Sequence, residues 1–197
     1  MARLFARRAE GIAAVEFALI VPLMATLFVG AVELSQAITA NRRVTQVGST
    51  TGDLVARATD VSDSDVLDIM KVGSYLLSPY STSGLKVDIR VIGSSAASAT
   101  VTTLKWICSY NATNPNSVTC TCPNTAYTIP TGLVGTSDYV VISNVTYGYR
   151  PSLFDVFMRQ AYGGAGGVYT MTEAVYLKPR SSVPQLTIGN SATKCGI

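Results

Sequence analysis

From Ile12 to Val32 the chain runs through 21 consecutive residues in which Glu16 is the only charge. An α-helix rises 1.5 Å per residue, so this run measures about 30 Å, the thickness of a bilayer's hydrocarbon core. Such a stretch predicts one membrane-spanning helix over residues 12–33. The alternative is a cleaved signal peptide, with Ser35-Gln36-Ala37 as a small-residue cleavage site. Signal peptides carry apolar regions of about 7–15 residues, and this run is longer and contains a carboxylate.

Arg3, Arg7, Arg8 and Glu10 precede the run. Removing residues 1–11 takes Lys+Arg from 15 to 12 and Asp+Glu from 12 to 11, so the formal charge falls from +3 to +1. Most of the positive excess therefore lies in a short leader, where it favours a cytoplasmic amino terminus against Arg42 and Arg43 on the far side. The remainder carries no basic patch of the kind that binds nucleic acid.

Histidine is absent from the 197 residues, which removes the commonest general base and the commonest nitrogen ligand for metals. No motif supports a serine-lysine dyad, so no catalytic residue, cofactor or metal site is expected. The glycine run Gly163-Gly164-Ala165-Gly166-Gly167 lacks the lysine and helix of a phosphate-binding loop and reads as a hairpin connection.

Glu16 is the most informative residue. A carboxylate inside a membrane helix costs up to about 2.5–3.5 kcal/mol, so it normally has a partner or lies near enough the interface to reach water. Five residues before it stands Gly11. The stretch Arg7-Arg8-Ala9-Glu10-Gly11-Ile12-Ala13-Ala14-Val15-Glu16-Phe17 resembles a prepilin signal: basic leader, glycine, four residues, glutamate, aromatic residue, apolar helix. That resemblance implies cleavage between Gly11 and Ile12 by a prepilin peptidase, leaving Glu16 as the fifth residue. It also gives Glu16 and Phe17 roles in filament assembly, Glu16 by neutralising a freed ammonium. Residue 12 is Ile where major type IV pilins carry Phe.

The wording from Ala13 to Leu23 is similar to TadE-like and TadG-like minor pilins of tight-adherence (Tad/Flp) pilus systems. A second stretch, from Val145 to Phe154 and from Tyr169 to Arg180, resembles the carboxy-terminal end of those proteins. The resemblance implies a minor pilin or pseudopilin that initiates or regulates pilus assembly, in the shaft or at the tip, and supports surface attachment. Its implied partners are the bacterial inner membrane, the prepilin peptidase, the Tad inner-membrane assembly platform, and the major and other minor pilins. The carboxy-terminal domain would be periplasmic, or extracellular once in the pilus. A single-pass anchored periplasmic binding or adhesion module that never polymerises is the competing reading, and Glu16 separates the two.

Beyond the membrane, Leu34, Ile38, Val44, Val47, Leu54, Val55 and Ala58 recur at near-helical spacing and predict that the helix continues over 34–60, although Gly48 and Gly52 weaken the pattern. Pro22 should kink the helix or loosen a turn, because its nitrogen cannot donate. Ser62-Asp63-Ser64-Asp65 reads as a helix start with Ser62 as N-cap. Val66, Leu67, Met70, Val72, Leu76 and Leu77 then mark a short helix ending before Pro79. Alternation predicts strands at Leu85–Val91, around Leu104–Tyr110, at Tyr139–Tyr149 and at Val168–Leu177, while Ser94 to Thr103 reads as a loop. The expected class is α+β: a long amino-terminal helix, one further helix and a small antiparallel sheet over 61–197.

Cys108, Cys120, Cys122 and Cys195 all lie downstream of the apolar run. In an oxidising compartment an even count suggests disulfides. Cys120 and Cys122, one residue apart, are poorly placed to pair with each other. Cys108 is therefore expected to bond one of them and Cys195 the other. Tyr127, Tyr139, Tyr147, Tyr149 and Tyr162 lie either half-buried on the sheet or on a sticky outer surface. The sequons at Asn111 and Asn144 are the chance matches a Thr-rich chain produces.

Overall fold

The computed structural model describes residues 2–151, 167–180, 184–189, 194 and 195, and of residues 2–11 the backbone course alone. Contacts divide the chain into two units, residues 1–39 with 150–168, and residues 40–149 with 169–197. Helix α1 (Ala2–Arg57) contributes its first part to one unit and its last part to the other. It is followed by β1 (Asp60–Ser62), α2 (Asp63–Leu76), β2 (Leu85–Ser94), β3 (Thr102–Asn111), β4 (Val118–Thr121), β5 (Thr125–Ala126), β6 (Tyr139–Tyr149), β7 (Tyr169–Leu177), β8 (Gln185–Thr187) and β9 (Lys194–Cys195). The class is α+β, as expected.

In the second unit the sheet is antiparallel in the order β4-β3-β2-β6-β7, with β5 paired to β3. One face is built from Leu85, Val87, Ile89 and Val91 of β2, opposite Tyr147, Val145, Ser143 and Val141 of β6. All eight are buried. The carboxy-terminal part of α1 buries Ala40, Val44, Val47, Gly48, Thr51, Gly52, Val55 and Ala56, a stripe at helical spacing, of which Gly48, Thr51 and Gly52 meet β6 and β7 and Val47 meets Gly73 of α2.

Gly48 and Gly52 lie in that stripe, and the reason is proximity. A Cβ at Gly52 would stand 2.5 Å from Leu177 Cδ1 and 3.1 Å from Ser143 Cβ. At Gly48 it would stand 3.1 Å from Val175 Cγ2. Glycine is a poor helix former, but only glycine lets the helix approach β6 and β7 this closely. Thr51, between them, donates to or accepts from Ser143 Oγ at 3.1 Å and also bonds the Val47 carbonyl at 2.8 Å. Every polar atom of that buried contact thus has a partner.

α2 begins as expected. Ser62 accepts from the Asp65 backbone N–H while Asp65 accepts from the Ser62 N–H, a reciprocal capping box. Val66, Met70 and Leu77 are buried, whereas Val72 is exposed. Arg43 Nη1 donates to the Leu76 carbonyl at 3.0 Å and so joins α1 to the carboxy-terminal end of α2.

Four differences from the sequence reading stand out. α1 ends at Arg57 rather than at residue 60, because Asp60–Ser62 is drawn out as a strand beside β8. Leu34, Ile38 and Leu54 share the helical spacing but are exposed. The predicted loop over 94–103 is shorter, since β2 runs to Ser94 and β3 starts at Thr102, which is buried and whose hydroxyl donates to the Tyr127 carbonyl. The short strands β1, β4, β5, β8 and β9 are only two to four residues long, too short for alternation to announce them; β1, β8 and β9 form a separate three-stranded sheet in which β1 and β8 run parallel.

A register shift between Val91 and Ile92 places Trp106 and Leu104 opposite successive residues of β2. Beyond this bulge the other face of the sheet also turns apolar. Ile92, Leu104, Val140 and Ile142 pack there with Val134, against Ile107, Tyr127 and Ile129.

Candidate membrane-embedded assembly site

The amino-terminal part of α1 has no apolar stripe. Ile12, Val15, Phe17, Leu19, Ile20, Val21, Leu23, Met24, Leu27 and Phe28 are all exposed, and Leu19, Ile20 and Val21 alone sweep most of the way round the helix. An all-round apolar helix is a membrane span or the interior of an assembly. α1 is long and apolar enough to cross a membrane. Each large side chain in it gains about 1.5–3 kcal/mol when removed from water.

The predicted site residues lie along this segment. Gly11 and Ile12 sit within continuous helix, and Glu16 follows Ile12 by four residues, one turn further along and on the same side. Glu16 is exposed, as is Phe17 at 69%. α1 continues as helix through Pro22, whose ring removes one backbone donor. Thr26, the hydroxyl nearest Pro22, returns its Oγ1–H to the Leu23 carbonyl at 2.8 Å, which satisfies the group inside an apolar stretch. Where the apolar stretch ends stands Glu33, which is 7% exposed and the one buried carboxylate among the described residues. Sequence reasoning passed over Glu33; its signal was its place as the first charge after Glu16.

The cysteines pair as Cys108–Cys120 and Cys122–Cys195. This agrees with the expected scheme and chooses between its two forms. Cys108 and Cys120 face each other across the β3–β4 ladder, which decides the first bond and leaves Cys122 for Cys195.

The described tyrosines of the set follow the half-buried reading rather than the outer-surface one. Tyr147 and Tyr149 are buried, Tyr127 and Tyr139 half-buried, and Tyr162 lies outside the described residues, as do residues 163–166 of the glycine run. Burial pushes the Tyr147 hydroxyl above its ordinary pKa, with Tyr80 adding to the effect. Tyr75, Tyr169 and Tyr176 are exposed, and Tyr75, at 80%, stands beside a groove of about 470 Å³ lined also by Lys71, Ser74, Thr82, Tyr110 and Asn116. A second groove, along Ser49, Asp53, Leu54, Arg57 and Leu177, has its charges already engaged. Asp53 bonds Arg57 at 2.7 Å and Arg180 at 2.6 Å, and these cations hold its carboxyl below the usual range. Arg180 also donates its backbone N–H to the Ala56 carbonyl, so the chain after β7 is stapled to the end of α1.

Residues 11–52 match the family model described as TadE-like protein. The amino-terminal segment of this chain is TadE-like. The TadE-like segment starts at Gly11 and ends at Gly52, so it holds the exposed apolar helix together with most of the buried stripe. Val145 to Arg180 lie outside it. No curated protein and no solved structure matches the chain.

Proposed function

We propose that this chain is a minor pilin or pseudopilin of a tight-adherence pilus, acting through assembly rather than catalysis. The observation that carries the reading is the TadE-like helix itself: apolar and exposed on every side, with one carboxylate a single turn after Gly11-Ile12. Hydrolysis of the Gly11–Ile12 peptide bond by a prepilin peptidase would leave a carboxylate on Gly11 and an ammonium on Ile12. The cut helix would then begin at Ile12, with its first N–H groups unsatisfied and its dipole positive at that end. Glu16, in the first turn, is placed to neutralise the ammonium of its own chain or of a neighbour.

In the membrane the helix waits with its apolar surface against lipid. In the filament the same surface lies against other pilin helices, and the pairing of Glu16 with an ammonium sets axial register, because a one-turn slip would leave two charges apart in an apolar interior. Arg3, Arg7 and Arg8 favour a cytoplasmic amino terminus, and two disulfides in the sheet domain suit a periplasmic or extracellular compartment. The partners on this reading are the prepilin peptidase, the Tad assembly platform and the other pilins. The sheet domain supplies lateral or tip contacts that support attachment.

The test is Glu16→Gln in the native host, scoring the chain in sheared pilus fractions and in inner membranes. The expected result is normal membrane level and loss from the pilus fraction. Equal amounts of variant and wild type in pili would contradict the reading; absence of both from pili would favour an anchored module that does not polymerise.

A further inference from the structure

The two disulfides differ in placement. Cys108 is fully buried in β3 and bonded across the ladder to Cys120, a sequence separation of 12. Cys122 is exposed, and its bond to Cys195 joins points 73 residues apart. That second bond fixes β9, and through it β8, to the rest of the domain.

Among the described residues, the other contacts of these two strands are short pairings and a few hydrogen bonds, one of them from the Gln185 N–H to the Thr59 carbonyl at 3.0 Å. β8 pairs with β1 over three residues, seating Leu186 beside Val61, and β9 adds two residues on its far side. The Pro184 carbonyl accepts from the indole N–H of Trp106 at 2.8 Å. Gly189 donates its N–H to Asp63 Oδ2 at 3.2 Å, and Lys194 meets Asp60 at 2.6 Å, both in exposed positions. Strands this short are not stable alone, and exposed ion pairs contribute little. With the chain already anchored at Arg180, the Cys122–Cys195 bond is the one covalent tie on the tail that carries β8 and β9, so it dominates the hold.

We propose that Cys122–Cys195 is a redox-released latch, whereas Cys108–Cys120 is a permanent part of the sheet. A dithiol reductant, or an oxidoreductase of the dithiol class, attacks as thiolate at Cys122, the exposed residue of the pair. The Cys122–Cys195 bond breaks, Cys195 leaves as a thiolate and takes up a proton, and a mixed disulfide forms on Cys122. The reductant's second thiol displaces Cys122 as a thiol, so the reductant ends oxidised to its disulfide and the protein holds two thiols. β8 and β9 then come away from β1, Leu186 leaves its seat, and the Trp106 indole loses its acceptor. The six-stranded sheet remains folded, held by Cys108–Cys120 and its own ladders.

Trp106 is the single tryptophan of the chain and is fully buried, so it reports the release directly. The experiment titrates the full chain in detergent micelles with dithiothreitol. It follows tryptophan emission and acrylamide quenching, sheet content by circular dichroism, and thiol positions by differential alkylation and mass spectrometry. The expected result is labelling of Cys122 and Cys195 before Cys108 and Cys120, with a red shift and a several-fold rise in quenching while sheet content is unchanged. Reduction of both bonds together, or selective reduction that leaves Trp106 emission unmoved, would overturn the proposal. A C122S/C195S double variant of the full chain should show the open-state emission without reductant; a folded variant with wild-type emission would overturn it equally.

Discussion

Over residues 12–32 of α1, large apolar side chains stand exposed on every side; over residues 40–56 of the same helix a single stripe of Val, Thr, Ala and Gly is buried in the sheet domain. On the function proposed above, the first stretch meets partners outside the chain, lipid or other helices, and can use bulk without regard to direction. The second is made for a partner within the chain, so its side chains are small wherever the sheet comes close. One continuous helix thus carries two sequence signals: plain hydrophobicity in its first part, periodicity interrupted by glycine in its second.

The sharpest way to break this contrast is to place the same large side chain in each stretch. Gly52→Leu drives a side chain into Ser143 and Leu177, and should lower the unfolding free energy of the sheet domain by about 3 kcal/mol, at the upper end of overpacking costs. A Cβ at Gly30 meets nothing within 4 Å, so Gly30→Leu should leave domain stability unchanged in detergent. Urea unfolding followed by circular dichroism measures both, and equal effects would mean that the two stretches do not differ in this way.

A smaller effect is expected where helix and sheet share a hydroxyl pair. Ser143→Ala removes one partner of Thr51, which keeps its bond to the Val47 carbonyl, so the loss should be about 1 kcal/mol in the same assay. The smallest effect is electrostatic. Asp53 is held below the usual carboxylate range by Arg57 first and by Arg180, and Asp138 by Lys178 first and by the Gly135 N–H. Because the folded values are depressed, the unfolded chain binds more protons between the folded and unfolded pKa. The stabilisation is therefore complete above about pH 4, near the unfolded value, and is lost as pH falls through the folded values. The urea midpoint should be flat from neutral pH to about 5 and decline below about 4, less steeply in a D53N variant.

Much of the molecule was legible because its signals are local. The apolar run, the Ser62 cap, the strand at Tyr139–Tyr149 and the grouping of the cysteines each rest on a few adjacent residues or a simple period. What was not legible depends on tertiary approach. Gly48 and Gly52 weakened the helix signal because their reason lies on β6 and β7, nearly a hundred residues or more away in sequence. The choice of Cys120 for Cys108 follows from β3–β4 register, which four residues of β4 do not announce. β1 and β8 are three residues each and exist as strands through pairing with one another. At the candidate site, Gly11, Ile12 and Glu16 were legible from spacing, while the burial of Glu33 was not, since nothing in its neighbours distinguishes it from an interfacial charge.

On the function proposed above, the TadE-like helix becomes an assembly surface by being cut at Gly11. Intact mass and amino-terminal sequence of the chain from its native membranes, with and without an active prepilin peptidase, test it most directly. The expected result is an amino terminus at Ile12 that depends on the peptidase. A terminus at Met1 or Ala2 in both samples, or one near Ile38, would contradict it.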